Sequence, residues 1–307
     1  MNPESFRHLL IASVGLLAAL TMPAHAALQI LACEPEWGAL AQELGGSQVE
    51  VSVATSALQD PHQIQAKPSL IARARRADLV VCTGADLEVG WLPILLQQAG
   101  NGRVQAGQPG HFEAADVVRK LDVPAQLDRS QGDVHAAGNP HIQTDPRNIA
   151  RVAQALSARL KQVDPAHAAD YTQREADFSR RWQQATERWT EQAASLKGVS
   201  VVSQHKAFSY LYDWLGMKEV AVLEPKPGVE PTTSHLQGVL SKLQGAPARM
   251  ILHAAYQDPR SSGWLSAKTG IPVVKIAFTV GGTDGAKDLF GLFDDTVARL
   301  LAAGAKE

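Results

Sequence analysis

The chain has 307 residues, 45% of them hydrophobic, and a formal net charge of −2. That balance supplies no electrostatic reason to expect nucleic acid or an anionic membrane surface as a partner. The densest basic group, Arg73, Arg75 and Arg76, reads as the solvated face of one helix.

The first segment carries Arg7 and His8, then the uncharged run from Leu9 to Leu20, then Ala24-His25-Ala26. Small residues at two positions separated by one are what a signal peptidase reads, so residues 1–26 are expected to form a secretory signal peptide. No Cys follows the cleavage motif directly, which argues against a lipid anchor. The apolar run is too short for a spanning helix, and no later stretch approaches the roughly 20 uncharged residues that spanning requires, so no membrane insertion is expected. The expectation is an exported, periplasmic chain acting as a monomer, its length better suited to two domains than to one.

Strand-like and helix-like runs then alternate, the sequence mark of βαβ units and parallel sheets. Strands are predicted over 28–33, 49–53 and 78–82, with helices over 36–44, from Ser69 as N-cap to about 77, and over 86–99. The Gly- and Pro-rich stretch 100–138 reads as loop, with a short strand or two near 111–121. Asp145-Pro146 opens a helix that runs to about Val163, a capping carboxylate followed by Pro at the first helical position. Residues 166–196 contain no Pro or Gly and carry Tyr171, Phe178, Trp182 and Trp189 along one stripe. They read as a long strut between two lobes. Strands near 199–203, 219–223, 249–254 and 272–278, interleaved with helices, complete the second half. The fold class is therefore α/β: a lobe over 27–165, a linking helix over 166–196 and a second lobe over 197–307. Each lobe is a parallel sheet flanked by helices, with a cleft between them.

Cys33 and Cys82 each lie at the end of a strand-like run. In an oxidising compartment they could bond if the strands are neighbours, or remain two separately buried thiols. A CxxC pattern is absent.

In open α/β sheets ligands bind beyond the carboxyl ends of the strands. His62 follows the second strand, His141 precedes the helix capped by Asp145, and His205 follows the first strand of the second lobe, so all three fall on one plausible rim. Pro61 and Pro140 stiffen the backbone beside two of them. Three imidazoles that meet make a zinc site. His253 ends a strand and reads as a histidine satisfied within the core, and Trp37, Trp91 and Trp264 also read as core.

Asp60-Pro61-His62 with Pro68-Ser69, Gly138-Asn139-Pro140-His141 with Asp145-Pro146, and His205-Lys206-Ala207-Phe208-Ser209-Tyr210-Leu211 stand in one order and spacing. With them the chain resembles the zinc- and manganese-specific solute-binding proteins of bacterial ABC importers, the ZnuA-like and TroA-like family. The resemblance implies a non-enzymatic carrier that holds one divalent metal between two lobes and passes it to an ABC permease in the inner membrane. It also implies His62, His141 and His205 as ligands. Val280 stands where some relatives have a carboxylate, so Asp284 in the adjoining Gly-rich loop is the expected fourth ligand, with His135, Glu230 or water as alternatives. Only His135 occupies the place of the His-rich loop of many zinc-specific relatives.

Three neutral imidazoles and one oxygen suit Zn²⁺, whereas Mn²⁺ favours more carboxylate and a higher coordination number. Zinc is the expected cargo and manganese the alternative. A secreted zinc hydrolase is disfavoured, because HExxH is absent and no Glu adjoins any of the three histidines.

Overall fold

The structure, a computed structural model, describes residues 26–125, 135–226 and 228–304. Apart from Ala26, the expected signal peptide lies outside the described residues. Four strands, β1 (Leu28–Ala32), β2 (Val49–Val53), β3 (Leu79–Cys82) and β4 (His111–Glu113), form a parallel sheet in the order β2-β1-β3-β4. A second parallel sheet repeats that order as β6-β5-β7-β8. Its strands are β5 (Ser200–Ser203), β6 (Lys218–Val222), β7 (Met250–Ala254) and β8 (Val273–Ile276). The central strands read as continuous apolar runs because both faces are covered: every residue of β3 and β7 is buried.

Helices α2 (Pro68–Arg76) and α3 (Leu92–Ala99) pack on one face of the first sheet through Leu70, Ala74 and Leu95. In the second sheet, α7 (Thr233–Gly245) and α8 (Arg260–Thr269) do the same through Leu236, Val239 and Leu265. The opposite faces share one large core with α1 (Pro35–Gly45), α4 (Pro146–Val163), α6 (Ser209–Leu215) and α9 (Leu289–Gly304).

The predicted strut is α5 (Ala168–Gln192), 25 residues long and flanked by 3₁₀ turns at Pro165–His167 and Ala193–Leu196. At 1.5 Å per residue it spans about 38 Å. Its buried stripe of Tyr171, Phe178, Trp182, Ala185 and Trp189 follows helical spacing. Trp182 reaches both lobes: its indole Nε1 donates to the Pro146 carbonyl at 2.8 Å, and its ring lies 4.9 Å from Phe290 of α9. Asp145 caps α4 as the sequence suggests, its carboxylate accepting from the Arg147 N–H at 2.8 Å.

Two predicted helix starts differ. The helix expected over 86–99 begins only at Leu92, because Pro93 is tolerated in a first turn and not in an interior. Ala85 and Asp86 before it hold φ of 50° and 66°, which no helix admits. At α2 the first helical residue is Pro68 and the cap position belongs to Lys67, so Ser69 lies inside the helix. Cys33 and Cys82 form a disulfide across neighbouring β1 and β3, with Cα atoms 4.8 Å apart. Trp37 and Trp91 are buried, and Trp264 packs against the α7 and α8 core.

Candidate metal centre

In both sheets, the strand order places the topological switch between the first strand and the third. There the connections depart in opposite directions and leave a crevice. His205 stands two residues beyond β5, at the crevice of the second sheet. His62 lies in the loop after β2, and His141 in the turn that leads into α4.

The fold brings these three together. The nearest available nitrogens of His62, His141 and His205 all lie within 4.8 Å of one another. His141 Nε2 and His205 Nε2 are 3.3 Å apart. Two nitrogens each ~2.05 Å from a tetrahedral zinc ion stand ~3.3 Å apart, so this pair already has the required span. The ring centroids of the trio are separated by 5.4 to 5.9 Å.

Carboxylates hold two of the three rings in place, whereas His141 Nδ1 is buried with no hydrogen-bond partner. Asp60 Oδ1 accepts from the His62 backbone N–H at 3.0 Å and lies 2.7 Å from His62 Nδ1. Glu224 Oε2 lies 2.7 Å from His205 Nδ1 and also accepts from the Gly228 N–H. A carboxylate at Nδ1 fixes the proton there and leaves the Nε2 lone pair for the centre of the group. His62 Nε2 is indeed buried with no hydrogen-bond partner. The Trp91 indole donates to the Pro61 carbonyl at 2.8 Å and secures the His62 loop from below.

Asn139 joins the other two loops. Its Oδ1 accepts from the His141 N–H at 3.0 Å, and its Nδ2 donates to the Lys206 carbonyl at 2.8 Å. The Tyr210 hydroxyl donates to the Asn139 carbonyl at 2.7 Å.

Burial, followed by the charges of His205 and His62, pushes His141 well below the ordinary histidine value. The same causes bring His135 down to about 4. Both rings are therefore neutral, as metal ligands must be. Burial works to raise the Asp60 carboxyl, but its hydrogen bonds with His62 and the charge of that ring leave it below its usual range.

The structure does not bring Asp284 to this group. Asp284 is exposed in a loop folded toward α9, where Thr283 Oγ1 donates to Asp295 Oδ2 at 2.6 Å. The Gly281 N–H closes that loop on the Ala286 carbonyl. Beyond β8 it is Phe278 that faces the histidines, its ring 5.3 Å from that of His141. Val280, at the position compared with a carboxylate, packs against the main core. Glu230 lines an outer cavity with Glu224 and is exposed.

His135, by contrast, stacks on His62 at 5.3 Å between centroids, and its Nε2 is buried without a partner. His253 is buried with its Nδ1 3.1 Å from the Ala254 carbonyl, a satisfied strand histidine.

Two parallel α/β lobes, a helix that packs on both and a cluster of imidazoles at their junction define the class: a binding protein with its site between lobes. The sequence matches the family described as ZnuA, zinc-uptake complex component A, periplasmic, over residues 30–303, and the chain belongs to that family. The family and its fold are those of substrate-binding components of ABC importers, not of enzymes.

The chain is 23% identical over 244 residues to the manganese ABC transporter substrate-binding lipoprotein PsaA of Streptococcus pneumoniae, covering 78% of this chain and 76% of that protein. It is 22% identical over 199 residues to the zinc-binding lipoprotein AdcA of Streptococcus pneumoniae (strain ATCC BAA-255 / R6), covering 64% of this chain but only 38% of that longer protein. A crystal structure of ZnuA shares the fold with a TM-score of 0.75 at 19% identity, covering 91% of this chain and all of that one.

Proposed function

We propose that this protein is the exported zinc-binding subunit of an ABC importer, which takes up one Zn²⁺ between its lobes and delivers it to a permease in the inner membrane. The observation that carries the reading is the convergence of His62, His141 and His205, with two of the three rings oriented by carboxylates. His135 takes the place of Asp284 as the fourth donor to test: its buried Nε2 is unpartnered and its ring stacks on His62, although it stands outside the 4.8 Å group formed by the other three.

An all-imidazole shell suits zinc and lacks the carboxylates that manganese prefers. Asp60 and Glu224, the carboxylates in contact with the site histidines, are engaged with imidazole Nδ1 atoms. Signal-peptide features at 1–26 support export to the periplasm.

The test is a competition titration of purified protein against a chromophoric chelator. One zinc per chain is expected, bound well ahead of manganese. Replacing His62 and His141 together with Ala should weaken zinc by much more than the ~10–100-fold that loss of an outer hydrogen-bond partner costs. Undiminished zinc affinity in that double variant would sink the reading.

A further inference from the structure

Outside the imidazoles, between the His62 and His205 loops and Glu224, Gly228, Glu230 and residues 256–258, lies an open cavity of about 210 Å³. One water needs ~10–15 Å³, so the space admits an ion together with its hydration shell. Four carboxylates line it, Asp60, Glu224, Glu230 and Asp258, and no Lys or Arg does so among the described residues. Among the described residues, Arg260 is the one Lys or Arg paired with any of the four, bonding Asp258 at 2.7 Å from an exposed position outside the lining. Glu230 has no ion-pair partner among the described residues. The Gln204 side chain also lines the cavity although the residue is only 5% exposed, and its Oε1 has no hydrogen-bond partner. His62 and His205 also line the cavity.

This is an acceptor-rich vestibule that adjoins two of the three rings. Carboxylate and amide oxygens accept hydrogen bonds from water bound to a cation, whose polarised O–H groups are strong donors. Acidic walls of low dielectric concentrate cations at the mouth of a cleft.

We propose that the vestibule is an outer-sphere docking site for a hydrated divalent cation. The ion is held there through its water molecules by the four carboxylates and the Gln204 amide oxygen, and then exchanges bound water, released to solvent, for the imidazole nitrogens. The inference rests on the reading of the imidazoles as the metal's destination. Asp60 and Glu224 serve both sites, one carboxylate facing each of two rings, so Glu230 and Asp258 are the residues that belong to the vestibule alone.

The experiment is stopped-flow zinc association with the purified protein and with the double variant Glu230→Gln, Asp258→Asn. Both positions are exposed and neither touches an imidazole. The association rate constant should fall about tenfold and lose much of its salt dependence, as expected when steering charge is removed. The dissociation rate should stay unchanged. Hexaamminecobalt(III), which has the size and donors of an aqua ion but does not exchange its ligands, should slow zinc association saturably in the unmodified protein. It should do so far less in the variant.

An unchanged association rate, a change confined to dissociation, or no saturable slowing by the cobalt complex would overturn the docking site and leave the zinc reading intact. Failure of the unmodified protein to bind zinc would instead remove the reading beneath it.

Discussion

The His62 and His205 rings are held by the same device, a carboxylate at Nδ1, yet one carboxylate is two residues away and the other nineteen. The near pair makes the cleaner probe. Asp60 accepts from both the backbone and the ring of His62, so replacing it removes charge and ring orientation together. Asp60→Ala should weaken zinc toward the upper end of ~10–100-fold, and Asp60→Asn, which retains an acceptor, toward the lower end. Chelator competition reads both, and wild-type affinity in Asp60→Ala would show that the ring needs no such support. The sequence makes the three histidines legible because each sits beside a strand end or helix start, with Pro61 and Pro140 next to two of them. It does not reveal Glu224, whose role depends on β5 and β6 pairing so that their following loops meet. Asp284 misleads for a related reason. Its loop is directed by a side-chain bond to Asp295 on α9, and the space beside His141 goes to Phe278.

At the scale of elements, the ends of β1 and β3 carry a feature that alternation alone does not announce. Glu34 and Glu36 follow β1, Glu88 follows β3, and all three are buried. Glu88 accepts from the Thr83 and Gly84 N–H groups at 2.7 and 3.0 Å, Thr83 Oγ1 donates to Glu34, and Thr279 beyond β8 donates to Glu36. Burial is the main cause that pushes Glu36 and Glu88 up to about 7 and Glu34 well above its usual range. Carboxyls with raised native values bind protons that the unfolded chain releases near pH 4.5. The contribution of Glu36 and Glu88 to stability is complete below that pH and is lost as pH rises through about 7. Buried His141 acts in the opposite sense, its contribution being lost as pH falls below about 6.5. Comparison with a Glu88→Gln variant cancels the histidine. The decline in urea midpoint between pH 5 and pH 8 should be shallower in the variant than in the unmodified protein, and parallel declines would exclude the carboxyls as its source. The helix boundaries that the sequence misplaces, at Ser69 and before Leu92, both lie beside prolines whose position within the first turn depends on where the chain arrives from the preceding loop.

Across the whole molecule, the two lobes are one packed body rather than two bodies on a hinge. A single core runs from Leu40 and Leu156 in the first lobe, through Trp182 and Trp189 of α5, to Leu211 and Phe293 in the second. Polar ties cross the same junction, from Asn139 to Lys206, from Tyr210 to Asn139, and from Thr279 to Glu36. Hinge closure needs a few connecting residues free to absorb large backbone changes, and a domain interface small enough to part. Here the connection is a helix whose aromatic stripe is buried against both lobes. Zinc should therefore stabilise the fold without contracting it. Binding only the native state raises the melting temperature by mass action, and one cooperative transition is expected with or without metal. Small-angle scattering curves of the apo and zinc-loaded protein should superimpose. A smaller radius of gyration on loading, or a melt that separates into two transitions, would show that the lobes move or unfold independently and that the shared core does not bind them into one unit.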